Sequence, residues 1–137
     1  MELKTYYDFA ENDYKFFKNV FTRDDAPNSV GAIGQRICER YLKHAIDLYK
    51  EKNDNEFYEK NKVMKTNNLV MIMNFITKYK ILEISDNVYD KICQANGLCT
   101  ETMYPGGESV MLTDRNRVKI AEATQICRDL VTDKILK

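Results

Sequence analysis

Only two prolines interrupt the 137 residues of this chain, Pro27 and Pro105, and each lies in a short run of helix-breaking residues. The runs are Asp24-Asp25-Ala26-Pro27-Asn28-Ser29 and Tyr104-Pro105-Gly106-Gly107. Proline lacks a backbone N–H and its ring clashes with the preceding turn, so a helix has to stop at these places and is free to form between them. Within the intervals, apolar residues recur every three or four positions, which is the helical period. Tyr6, Phe9, Phe17 and Val20 with Phe21 form one face, interrupted by Asp13, of a predicted helix from about Leu3 to Thr22. Asn28 or Ser29 is placed to cap a second helix, in which Val30, Ile33, Ile37, Tyr41, Ala45 and Leu48 recur through about Lys50. Leu69, Ile72, Met73, Ile76 and Tyr79 predict a third. Ser85 or Asp86 caps a short fourth, carrying Val88, Tyr89, Ile92 and Ala95, which Gly97 is suited to end. Thr113 or Asp114 caps the last, with Ile120, Ala123, Ile126, Cys127, Leu130 and Val131 facing inward. The polar stretch from Lys52 to Lys65 reads as a solvated loop, and Tyr104 to Leu112 as an ordered one. Period-two alternation is too brief to predict strands. The expected fold is all-α: an antiparallel up-and-down bundle of about five helices in one domain, residues 1–137.

Charge narrows the function classes. Lys and Arg number 21, Asp and Glu 21, so the net charge is zero, which argues against a general nucleic-acid or membrane-surface binder and leaves room for a local basic patch. No apolar run approaches the roughly 18 residues of a membrane helix, and no basic stretch leads into an apolar one at the N-terminus, so the expectation is no membrane and a cytoplasmic location. Cys38, Cys93, Cys99 and Cys127 are scattered and read as free thiols. Zinc requires paired cysteines at close spacing or nearby histidines, and neither occurs, so neither a metal nor another cofactor is expected.

Arg36, Arg40 and His44 stand four apart and stack along one side of the second helix, beside the apolar stripe of Ile37, Tyr41 and Leu48. One reading is an anion site, two guanidinium groups and a titratable imidazole holding a nucleotide phosphate or an RNA backbone. The other is structural: the arginines pair with acids on a neighbouring helix and His44 sits at the core boundary. Tyr6, Tyr7, Phe9, Phe16, Phe17 and Phe21 read first as core or dimer interface; exposed beside Lys15 and Lys18, they would make a base-stacking surface. Met64, Met71, Met73 and Met103 read as core filler. The Tyr104 turn is structural in the first instance. Its glycines also permit close backbone approach, which makes Tyr104 the fourth candidate binding residue.

Four stretches, taken in order, resemble a HEPN domain (higher eukaryotes and prokaryotes nucleotide-binding). Tyr7-Asp8-Phe9-Ala10-Glu11-Asn12-Asp13-Tyr14 is similar to the family's opening helix. The segment from Val30 to Ala45 resembles its second, with Gln35, Glu39, Leu42 and Lys43 fitting the usual elements. Thr66-Asn67-Asn68-Leu69 stands where the family has a His-Asp-Leu turn, with Asn67 at the histidine position. Met103-Tyr104-Pro105-Gly106 matches the Tyr-Pro-Gly element before the final helix, with Met103 replacing a common Arg. The resemblance covers nearly the whole chain. It implies an all-helical bundle, frequent pairing with a minimal nucleotidyltransferase, dimerisation through long helices, and for some members metal-independent ribonuclease activity.

That ribonuclease branch carries Arg-x4-6-His, in which Arg stabilises developing phosphate charge and His moves the 2′-hydroxyl proton. His44 is the only histidine here, and seven and three residues separate it from Arg36 and Arg40, so neither fits. Arg115-Asn116-Arg117 resembles the start of the motif, but no His follows it. No catalytic residues are therefore assigned. The expectation is a non-enzymatic HEPN-like accessory protein that binds nucleotide or RNA, pairs with a nucleotidyltransferase, or does both, in a toxin–antitoxin or defence pair and as a homodimer. The alternative is a metal-independent ribonuclease using Arg36, Arg40 and His44 in a shifted site across a dimer interface.

Overall fold

The computed structural model describes residues 3–21, 30–96 and 114–136. These hold six helices and no strand: α1 (Tyr6–Val20), α2 (Val30–Leu48), α3 (Asp54–Met64), α4 (Leu69–Lys78), α5 (Asp86–Cys93) and α6 (Asp114–Leu136). The all-α expectation holds, with one helix more than the five predicted. That helix is α3, which occupies the stretch read from sequence as a loop. It lacks an apolar stripe, burying only Glu56 and Val63, so periodicity does not reveal it. Local hydrogen bonding holds it instead. Asn53 caps its start by accepting from the Glu56 N–H, Tyr49 Oη donates to the Glu56 carboxylate, and Glu59 accepts from Lys78 Nζ at 2.9 Å and from Tyr79 Oη at 2.6 Å. These links also fold α3 back along α4.

Successive helices reverse direction. Tyr7 packs on His44 at one end of the α1–α2 pair and Phe17 lies beneath Gly34 at the other. On α6, Thr132 bonds Tyr7, Arg128 bonds Glu11 and Gln125 bonds Tyr14, so α6 runs opposite to α1 and parallel to α2. Gln35 of α2 donates to the Asn67 carbonyl before α4, while Tyr49 packs on Phe75 farther along. Asn96 and Tyr89 bond Leu69 and Asn74, which turns α5 against α4. The core lies where α1, α2, α4 and α6 converge, around Phe17, Ile37, Tyr41, Leu42, Ile72, Ile76 and Ile120, all essentially buried. No described helix is long and apolar enough to cross a membrane.

Caps set the helix ends. Thr5 and Asp8 form a capping box that starts α1 three residues later than periodicity predicts, and Ser85 caps α5 as expected. Predicted features at Asp24–Ser29, Gly97, Cys99, Met103, Tyr104–Leu112 and Thr113 lie outside the described residues, as do the side chains of residues 114–116. Cys38, Cys93 and Cys127 are free thiols. Of the methionines expected in the core, Met73 is buried, Met64 partly so and Met71 exposed.

Helices α1, α2 and α6 come close together at Gly34. A methyl group added there would overlap Ile120 Cγ2 and touch the Phe17 ring, so the missing Cβ lets α1, α2 and α6 meet at that level.

Candidate functional site

The inward face of α1 is rotated relative to the face read from sequence. Ala10, Tyr14 and Phe17 are buried, with Tyr7 and Phe21 packed against them, whereas Phe9 and Phe16 are exposed, at 42% and 55%. The cause is polar. Glu11, which carries no weight in an apolar pattern, takes an inward position because it has partners there. Tyr41 Oη donates to Glu11 Oε1 at 2.6 Å and Arg128 Nε to the same oxygen at 2.8 Å. The Arg128 guanidinium also lies 5.1 Å above the Tyr14 ring centre. Burial raises the pKa of Glu11, but the bonds from Arg128 and Tyr41 outweigh it and hold the carboxyl below its usual range. Burial and the Glu11 bond together push the Tyr41 phenol well up.

The row on α2 divides into three environments. His44 is only 8% exposed, stands 5.6 Å from the Tyr7 ring centre, and its Nδ1 has no hydrogen-bond partner. Burial pushes its pKa down, against the pull of Asp47 and Asp8, so the imidazole is neutral near pH 7. Arg40 pairs with Asp13 of α1 and covers the Phe9 ring at 5.6 Å. Asp13, which breaks the apolar pattern of α1, is therefore the anchor of Arg40. Arg36 is exposed and forms none of the ion pairs among the described residues. Tyr104 lies outside the described residues, so it is not placed relative to the row.

Lys15 and Lys18 do not join the exposed phenylalanines. Lys18 borders a cavity of about 130 Å³ shared with Ala121, Thr124 and Gln125 of α6, and Lys15 lies with Tyr7, Asp8, Glu11 and Asn12. Phe9 and Phe16 lie on the α2 side of α1, with Asp13 between them in sequence and turned to Arg40. The exposed residues left on these two helices include Arg36 of α2 and Phe9 and Phe16 of α1. An exposed guanidinium binds phosphate, and an exposed ring stacks on planar groups. Sequence reasoning named Arg36 and did not separate the exposed Phe9 and Phe16 from the buried aromatics of α1. The signal available was their spacing of seven, which places both rings on one side of a helix.

Comparison with family models, curated proteins and solved structures finds no match to this chain.

Proposed function

We propose that the chain is a non-enzymatic, HEPN-like accessory protein that binds a nucleotide or RNA on the α1–α2 flank and pairs with a nucleotidyltransferase, as a cytoplasmic homodimer in a toxin–antitoxin or related defence pair. The observation that carries the binding half is Arg36, an exposed residue that forms none of the ion pairs among the described residues and stands one turn before the Arg40 that covers the exposed Phe9 ring. Support for the family half is the order of the four sequence stretches. Against the ribonuclease alternative stands His44, because a proton-transfer group must reach the 2′-hydroxyl and this imidazole is buried against Tyr7.

The test is an RNA incubation followed by a native and a denaturing gel. The expected result is intact RNA with a retarded native band that Arg36→Ala abolishes. RNA degraded by the wild type and spared by His44→Ala would overturn the non-enzymatic reading. Stoichiometric recovery of a nucleotidyltransferase with the tagged protein from its own cells tests the pairing half, and its absence counts against that half alone.

A further inference from the structure

We infer that α3 is a strap that opens as a unit ahead of α2 and α4, and that its opening uncovers an aromatic cluster of Tyr49, Phe75 and Tyr79 and releases the end of α2. The polarity of α3 is the reverse of an ordinary surface helix. Glu56, Glu59, Lys60 and Val63 recur at the helical period and are the side chains turned to the bundle, so the inward stripe carries three charges and one valine. The rings of Phe57 and Tyr58 face the other way, 48% and 73% exposed. Apolar burial therefore contributes little to holding α3 in place.

Polar latches attach it instead. Glu56 accepts from Tyr49 Oη and, at 3.2 Å, from the Lys52 N–H. Glu59 accepts from Tyr79 Oη at 2.6 Å and from Lys78 Nζ at 2.9 Å, the latter an exposed ion pair for which water and salt compete. Lys60 Nζ donates to the Tyr49 carbonyl at 2.8 Å and to Glu51 at 3.3 Å. These latches converge on one place. Tyr49, Phe75 and Tyr79 pack ring to ring, with centres 4.7, 5.6 and 6.3 Å apart, and both phenols of the cluster end on α3 carboxylates. The last turn of α2 has no basic residue of its own, and Lys60 supplies one from α3. An isolated helix of 11 residues is marginal in water, so once the latches open α3 melts in one step. That step bares the cluster and uncaps α2 together.

The experiment is hydrogen–deuterium exchange of the intact protein, resolved by peptide, at low and high salt, with each variant first shown by thermal melting to be folded. In the wild type the α3 amides should exchange at one common rate, about ten-fold or more faster than the core amides of α2 and α4, and high salt should widen the gap. Glu56→Gln and Glu59→Gln should each speed α3 about five-fold and leave the cores of α1, α2 and α6 unchanged. Lys60→Met, which keeps the apolar stem and removes the cation, should speed α3 and also the amides of Leu48 and Tyr49. Lys91→Ala breaks the 2.6 Å pair with Glu122 between α5 and α6 and should leave α3 unchanged. In the Glu56→Gln/Glu59→Gln double variant, tetranitromethane should nitrate Tyr49 and Tyr79 faster than in the wild type, while buried Tyr41 stays protected. Exchange of α3 at the rate of the α2 and α4 cores, or variants that speed every helix equally, would show that α3 opens only with the whole bundle and would overturn the strap. Faster α3 exchange with unchanged Leu48 and Tyr49 amides in Lys60→Met, or with unchanged nitration of Tyr49 and Tyr79 in the double variant, would overturn the coupled uncovering.

Discussion

Arg128 and Arg36 carry the same guanidinium, and Phe17 and Phe16 are neighbours in sequence, yet each pair is divided between two regions. In the seam where α1 meets α2 and α6, Arg128 is clamped on Glu11 and laid over Tyr14, and Phe17 is buried beneath Gly34. On the outer flank, Arg36 and Phe16 face water. Glu11, Tyr41 and Arg128 engage one another in the seam, so substitutions there are felt as stability. Arg36 and Phe16 take part in none of the ion pairs or ring contacts seen among the described residues, so substitutions of these two should leave stability nearly unchanged.

The largest test of that contrast is Phe17→Ala beside Phe16→Ala. The first removes a fully buried ring and should cost about 3–5 kcal/mol, while the second should stay within about 0.5 kcal/mol, both read from denaturant midpoints. Equal losses would erase the distinction. Next is Glu11→Ala, which strips the acceptor from Tyr41 and Arg128 and should cost about 1–3 kcal/mol. Gly34→Ala sharpens the same point. Alanine gains about 1 kcal/mol in helix propensity, and overlap with Ile120 costs about 1–3 kcal/mol, so a net loss in thermal midpoint is expected.

Smaller again is the pH response of the seam. Burial holds the folded-state pKa of His44 below its ordinary value of 6.5, so on acidification the unfolded chain takes up this proton first. The contribution is present in full above about pH 6.5 and is lost as pH falls through the folded-state value. Glu11, whose pKa is lowered from its ordinary value of 4.5, loses its contribution only in more acid solution. His44→Phe should therefore flatten the stability profile just below neutrality, and an unchanged slope would place the titration elsewhere. The smallest expected stability effect is that of Arg36→Ala, within about 0.5 kcal/mol of wild type.

Periodicity made α2, α4 and α5 legible because each has an apolar stripe and something to bury it against. It misplaced the inner face of α1, where Glu11 displaces an apolar pattern by finding Tyr41 and Arg128, partners 30 and 117 residues away. It missed α3 because that helix is stabilised by a cap and ion pairs. The local signal was present: Asn53 followed three residues later by Glu56 is a helix-start pattern. In the candidate site, the four-residue spacing of Arg36, Arg40 and His44 correctly put them on one helix side. It carried no information on which of them a neighbouring helix would engage, since Asp13 and Tyr7 reach the row only through the α1–α2 packing.

The most direct measurement is a backbone amide NMR titration of the labelled protein with a single-stranded oligoadenylate. Perturbations confined to residues around Phe9, Phe16, Arg36 and Arg40, and absent in Arg36→Ala, are the predicted result. Perturbations centred on Lys15, Lys18 and the α6 side of α1, or a spectrum that does not change, would contradict the assignment of binding to the outer flank.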